Sequence, residues 1–401
     1  MADVPRDAWI TGIGIVSSLA EGVDAHWQAL SAPGATADLT SFAPYIVHPL
    51  APLDLDKQIP KKGDQRQMEP WQRIGTYAAG LALESAGVKG NADILSRMDM
   101  IVAAGGGERD VATDVAILNA LPKEADKSEA FINERMMGDL RPTLFLAQLS
   151  NLLAGNISIV HGVTGSSRTF MGEEAAGVDA ARIALARIAA GQSEIALFGG
   201  AHNSEREELL MLYEFGGFNL KDKFAPVWER GPKGGFSLGS HGAFIVLESS
   251  GHALRRGAKP LAKLSAILSD RGNGKPGAVT EGLTRMWDKL PPLQQDRVAV
   301  ISGASGAEPT TAEERAFLSR HPAIPVRATG THIGHGLEAQ FSVNLALAAI
   351  AVGHGKLFPP AGDSGVEREM DGPLAQAVVT GVGHWRGLGL ALVEAADVEA
   401  A

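Results

Sequence analysis

Short apolar β-like runs alternate with longer helical segments along nearly the whole 401-residue chain. That alternation constrains the fold more than any single motif. AWITGIGIV (8–16) reads as a strand running into a Gly-rich turn, followed by a helical segment around 24–30. A helix over 71–86 ends at Gly87, and MDMIVAAGGG (98–107) is a strand followed by a glycine turn. A helix is expected over 142–154, with Pro142 near its start, and an Ala-rich one over 172–190, ending at Gly191. Strands follow at 194–201 and 242–248. Near Lys259 the theme restarts, with strands at 261–269, 297–306, 376–383 and 389–394 and helices at 277–290, 311–318 and 337–352. Strands alternating with helices imply an α/β fold with parallel sheet covered on both faces. The expected division is into two similar βα halves, 1–258 and 259–401. The segment 32–67, rich in Pro, Asp and Lys, reads as a surface excursion.

Composition narrows the function classes. Hydrophobic residues make up 45% and charged residues 20%, which excludes a disordered or fibrous chain. A formal charge of −10 without a Lys/Arg block argues against a nucleic-acid partner. The apolar run VNLALAAIAV (343–352) is shorter than the roughly 20 residues a bilayer span needs. Met1–Asp7 carries acids and a proline where a signal peptide would need a basic start, so a cytoplasmic location is expected. There is no cysteine, which removes disulfides, thiolate metal sites and a cysteine nucleophile together.

Three local patterns suggest chemistry and fall short of it. GFSLG (235–239) matches the G-x-S-x-G nucleophile elbow, yet a Gly/Pro-rich stretch precedes it and a strand follows where a helix is required. His332, His335 and Glu338 could present two imidazoles and a carboxylate to a metal on a helix, but GTHIGHG is too glycine-rich for a secure one. TGIGIV and AAGGG are glycine turns after strands that do not complete G-x-G-x-x-G. No cofactor and no metal is expected.

The order of these turns carries a further signal. ITGIGIVSSLAEG resembles the VTGxGxVSPLG opening of β-ketoacyl-ACP synthases. RPTLFLAQLSNLLAGNISIVHG is similar to the stretch before their nucleophile, and AARIALARIAAGQSEIALFGGAHN to the nucleophile helix and the strand ending in GGAE. FAPVWERGPKGGFSLGSHGAFIVLE resembles PFDxxRxGFxxGEGAxxxVLE, with HALRRGAKPLA continuing it. GKLFPP is similar to GxxPP, and GVGHWRGLGLALVE stands where the family has its FGFGGxN closing loop. The likeness covers nearly the whole chain in order. It implies a thiolase-like fold, two βα halves about a pseudo-twofold in α-β-α-β-α layers.

The chemical positions depart from the family. A ketosynthase needs a thiolate at a helix N-terminus, where the dipole lowers its pKa and backbone N–H groups bind the oxyanion. Two histidines then promote decarboxylation of the malonyl donor. Counting back from Ala180–Arg182, the cysteine of TACxxG falls on Phe170, or on Met171 with a shifted gap. GASGAEPTTAEE against AHGTGT places Ser305 in the first histidine column. RATGTHIGHGLEA against TGHxxGAAG makes His332 the counterpart of the second, with His335 as the other choice, and Arg327 the counterpart of the family lysine. Ser240-His241 replaces the GEGA glutamate and His202 the GGAE glutamate. Ser166 and Ser167 are near the nucleophile column but precede the helix, and a serine there would need an adjacent base.

The resemblance therefore implies a β-ketoacyl-ACP synthase relative of fatty-acid or polyketide-like biosynthesis without condensing activity of its own. It is similar to chain-length-factor subunits, which pair with a cysteine-bearing ketosynthase and shape an acyl tunnel; Phe170 suits a lining or plugging role. The expected partners are acyl carrier protein, an acyl chain and that ketosynthase, or a second copy in a homodimer. The alternatives are an active 3-oxoacyl-ACP synthase or an acyl-ACP decarboxylase working without cysteine.

Overall fold

The computed structural model describes residues 6–32, 36–121, 128–140, 144 and 148–396. In chain order its principal elements are β1 (Ala8–Val16), α1 (Pro70–Ser85), β2 (Asp99–Ala104), α2 (Leu152–His161), β3 (Ser167–Met171), α3 (Glu174–Ala189), β4 (Ile195–His202), α4 (Glu207–Phe215) and β5 (His241–Ser249). They continue with β6 (Ala262–Asp270), α5 (Ala278–Trp287), β7 (Val298–Ser302), α6 (Thr310–Leu318), β8 (Val326–Ala328), α7 (Gln340–Gly353), β9 (Gln376–Val382) and β10 (Leu388–Glu394). The expected helix 142–154 lies partly outside the described residues, as do Met1–Pro5; its last three residues open α2.

The strands run in the order β8-β7-β9-β10-β6-β1-β5-β4-β2-β3. Each half repeats one pattern: first strand beside fifth, then fourth, second and third. In both halves the fourth–second and second–third neighbours are parallel, while the fifth strand is antiparallel to the first and fourth. The parallel pairs expected from βα alternation thus occupy the outer part of each half. The antiparallel pairs have a local cause in β9 and β10, which are joined by only Gly383–Gly387, too short for a parallel crossover. The halves meet where Trp9 and Ile10 pair with Lys263 and Ala262.

The two helices that follow the third strands, α3 and α7, touch each other and strands of both halves, so they form the middle layer. Residues 340–352 of α7 are all buried, which explains why it is apolar on every face. Outside, α1 covers β1, β5 and β4, and α5 covers β10 and β6. The glycines of TGIG are not in a turn, because β1 runs straight through them. A Cβ at Gly14 would lie 1.9 Å from the Ala78 carbonyl and one at Gly12 2.4 Å from that of Ala82, so the strand needs glycine to approach α1. This packing role absorbs the motif that a nucleotide loop would otherwise have claimed.

Candidate active site

The middle layer aims the N-terminus of α3 at the ends of β4, β5 and β9. Its first residue is Glu174, only 4% exposed. Glu174 Oε1 accepts from His335 Nε2 at 2.8 Å, from His384 Nδ1 at 2.9 Å and from the His384 backbone N–H at 3.2 Å. Burial by itself would raise the Glu174 pKa. The charge of His384 and the imidazole hydrogen bonds outweigh it and hold the carboxyl well below its ordinary range. Burial in turn lowers the His384 pKa, but the Glu174 charge and hydrogen bond reverse this and raise it above the usual imidazole value. The positive end of the helix dipole favours the same ionised state.

Both histidines are held by backbone and ring contacts. The GFSLG segment turns out to be a clamp: His335 N donates to the Ser237 carbonyl at 2.8 Å, and Gly239 N to the His335 carbonyl at 2.9 Å. Phe236 stacks on the His335 ring at 5.4 Å between centroids. The strand His241–Ser249 follows directly, so no nucleophile elbow forms. His384 comes from the β9–β10 loop, closed by Gly383 N donating to the Gly387 carbonyl at 2.9 Å. Tyr213, Phe218 and Phe236 surround its ring edge-on at 5.3, 4.8 and 5.6 Å. His384 also lines a cavity of about 690 Å³, together with Phe218, Lys275, Glu308 and Trp385.

The structure separates several residues that the sequence groups together. Phe170 does not begin the helix. It lies half-buried in β3, four residues earlier, with Met171 75% exposed beside it and Ser166 and Ser167 exposed at the strand's start. Ser305 is buried in the loop after β7; its hydroxyl accepts from Ala307 N at 3.2 Å and its carbonyl from Arg230 at 2.8 Å, with no bond to Glu174. His332 sits on the short helical turn Gly330–Ile333, its Nε2 buried without a hydrogen-bond partner. Burial and then the Arg327 charge push its pKa down to about 4. Arg327 is itself buried, with hydrogen bonds to the Phe358 and Arg368 carbonyls. Ser240 bonds Ser204 and Asn203, and His202 Nδ1 lies 3.4 Å from Glu338. His241 is fully buried; desolvation and then the His202 and His335 charges depress its pKa well below the usual value.

His332, His335 and Glu338 do not share a helix face, because Gly334 ends the turn and Leu337 takes a left-handed φ of 44°. His335 goes to Glu174 and Glu338 to His202. Sequence reasoning missed Glu174 and His384. A signal for the first existed: Glu174-Ala175-Ala176-Gly177 has the spacing of TACxxG. Gly177 is required there, since its Cβ would come within 2.6 Å of the Glu338 carbonyl.

Comparison with known proteins addresses the family and the fold. Residues 6–253 match the family described as Beta-ketoacyl synthase, N-terminal domain. The tetracenomycin polyketide synthase ketoacyl synthase beta subunit of Streptomyces glaucescens is 24% identical over 410 residues, covering 96% of each chain. The 3-oxoacyl-[acyl-carrier-protein] synthase 2 of Rhizobium meliloti is 24% identical, covering 88% of each. The solved ishigamide ketosynthase/chain length factor superposes with a TM-score of 0.79 at 17% identity, covering 98% of this chain and all of that one. The matched family, the repeated strand order and the helix N-terminus at the sheet ends agree: this chain belongs to the beta-ketoacyl synthase family, with a thiolase-like fold.

Proposed function

We propose that the chain is a non-condensing, chain-length-factor-like subunit that shapes an acyl tunnel with a cysteine-bearing ketosynthase in fatty-acid or polyketide-like biosynthesis. The observation that carries this reading is Glu174 at the start of α3, bound by two imidazoles. In this reading Glu174, rather than Phe170, occupies the nucleophile column, and His335, rather than His332, the second histidine column. A carboxylate there cannot hold an acyl group as the thioester that condensation requires. The same charge disfavours the decarboxylase alternative, because a malonyl carboxylate would have to lie beside an ionised one in a poorly screened interior. The cavity ending on His384 is offered to the carrier's acyl thioester. The edge strand β3, unpaired on its outer side among the described residues and carrying exposed Met171, is offered to the partner.

Co-expression with a cysteine-bearing ketosynthase from the same source tests this reading. The expected result is co-elution as a mixed dimer, weakened by Met171→Lys, and no mass change of this chain on exposure to acyl-ACP. Failure to associate, or a stable adduct on Ser166 or Ser167, would remove the proposal's basis. A thiol restored by Glu174→Cys should react with an acyl thioester or alkylating agent faster than one in Phe170→Cys, since only the former begins a helix.

A further inference from the structure

We propose that Glu173, Glu174 and His384 form a binding site for one divalent first-row transition-metal ion at the inner wall of the cavity. Each side chain offers a ligand atom, and these atoms lie within 4.8 Å of one another. Glu173 Oε2 lies 3.8 Å from His384 Nε2, so the half-exposed Glu173 side chain has to move inward for the set to reach the roughly 2.0–2.2 Å ligand distances typical of zinc.

Two independent observations support an ion here. Glu174 Oε2 is buried with no hydrogen-bond partner, although Oε1 of the same carboxylate has three. An ionised oxygen left bare in the interior is costly, and a cation is the ligand that satisfies it. The surrounding contacts are also those that orient metal ligands. Tyr213 donates to Glu173 Oε1 at 3.1 Å, His335 donates to Glu174, and three aromatic rings fix the plane of His384. Because His384 borders the cavity, water or a ligand oxygen can complete the coordination. Two carboxylates and one imidazole suit zinc, manganese or iron(II) better than a soft ion. The ion site stands apart from the chain-length reading, since it needs neither partner nor substrate.

The test uses the full chain, stripped with a chelator and titrated with Zn²⁺ in a calorimeter at pH 7.5. One equivalent should bind, and Co²⁺ in its place should give visible d–d bands without a thiolate band, there being no cysteine. Glu173→Gln alters a half-exposed side chain and keeps the fold intact; it should weaken Zn²⁺ at least about tenfold, as should His384→Gln. Absence of saturable one-equivalent binding, or affinity unchanged in both variants, would overturn the site.

Discussion

The two halves share one strand order and one central helix, yet those helices begin with opposite chemistry. Helix α3 opens on Glu174, a buried carboxylate held by two imidazoles. Helix α7, its counterpart, opens on Gln340 within a neutral network. Gln340 Nε2 donates to Thr329 Oγ1 at 3.1 Å and Asn344 Oδ1 at 3.0 Å, and its Oε1 accepts from Gly336 N at 2.9 Å. The backbone plan sets where a helix points, whereas the single residue at its start sets whether that point is ionic or neutral. A repeated architecture can therefore carry one ionic end and one neutral end.

Acid should affect the molecule most, and unevenly. Burial lowers the pKa of His48 to about 3 and of His26 and His161 to about 4, all in the first half; His332, at about 4, is in the second. Each is neutral when folded but takes a proton near 6.5 when unfolded. The unfolded state therefore binds more protons between those values, and stability falls as pH drops from 6.5 toward 4. The loss is roughly 1.4 kcal/mol per unit for each group. Calorimetry from pH 7 to 4.5 should show Tm falling by more than about 10 °C. Hydrogen exchange should show β1–β5 losing protection first, and earlier loss in β6–β10 would break the contrast between the halves.

Exchanging the two helix starts for leucine measures the contrast directly. Glu174→Leu leaves two buried imidazoles without their anion and should cost about 3–5 kcal/mol in urea unfolding. Gln340→Leu leaves neutral groups unpaired and should cost about 1–3 kcal/mol. Equal losses would show that charge is not what distinguishes the two ends.

The halves also differ in how closely the outer helix approaches the first strand. Gly14→Ala puts a methyl group into the Ala78 carbonyl, so α1 must move off β1, at a cost of about 1–3 kcal/mol in thermal or urea unfolding. An unchanged midpoint would mean that the first half yields more readily than its backbone contacts imply.

The last expected effect lies in the second half. Glu314 is fully buried with the Ser302 and Thr380 hydroxyls donating to it, and desolvation pushes its pKa up to about 7. A raised folded value stabilises fully below the unfolded value near 4.5, and that stability is lost as pH rises through about 7. Glu314→Gln removes the titration, so its stability relative to the parent should rise by about 2–3 kcal/mol between pH 5 and pH 8.5. A difference independent of pH would assign the effect to packing.

Most strands were legible because buried β-branched runs bounded by glycine have few other solutions. β1 begins and ends where the sequence places it, and β9 differs by one residue. Of the ten strands of the large sheet, the two that escaped are the third of each half, Ser167–Met171 and Val326–Ala328. One is polar and largely exposed and the other spans three residues, so neither carries a period-2 signal. The first matters for the site: Phe170 lies within that strand, and the helix begins four residues later at Glu174.

By itself the sequence determined the alternation of strands and helices, the absence of any thiol, and the ordered motifs of a family, because these depend on local periodicity and residue type. Only the tertiary structure decided what surrounds the start of the first half's central helix. Glu174, His335 and His384 lie on three separate segments, and nothing local in any of them signals the other two. Their meeting depends on β3 ending before Gly172, on Gly177 letting α3 close on Glu338, and on the β9–β10 loop folding back. A buried ion pair is a property of distance and desolvation, and both arise only once the two halves have closed around their central helices.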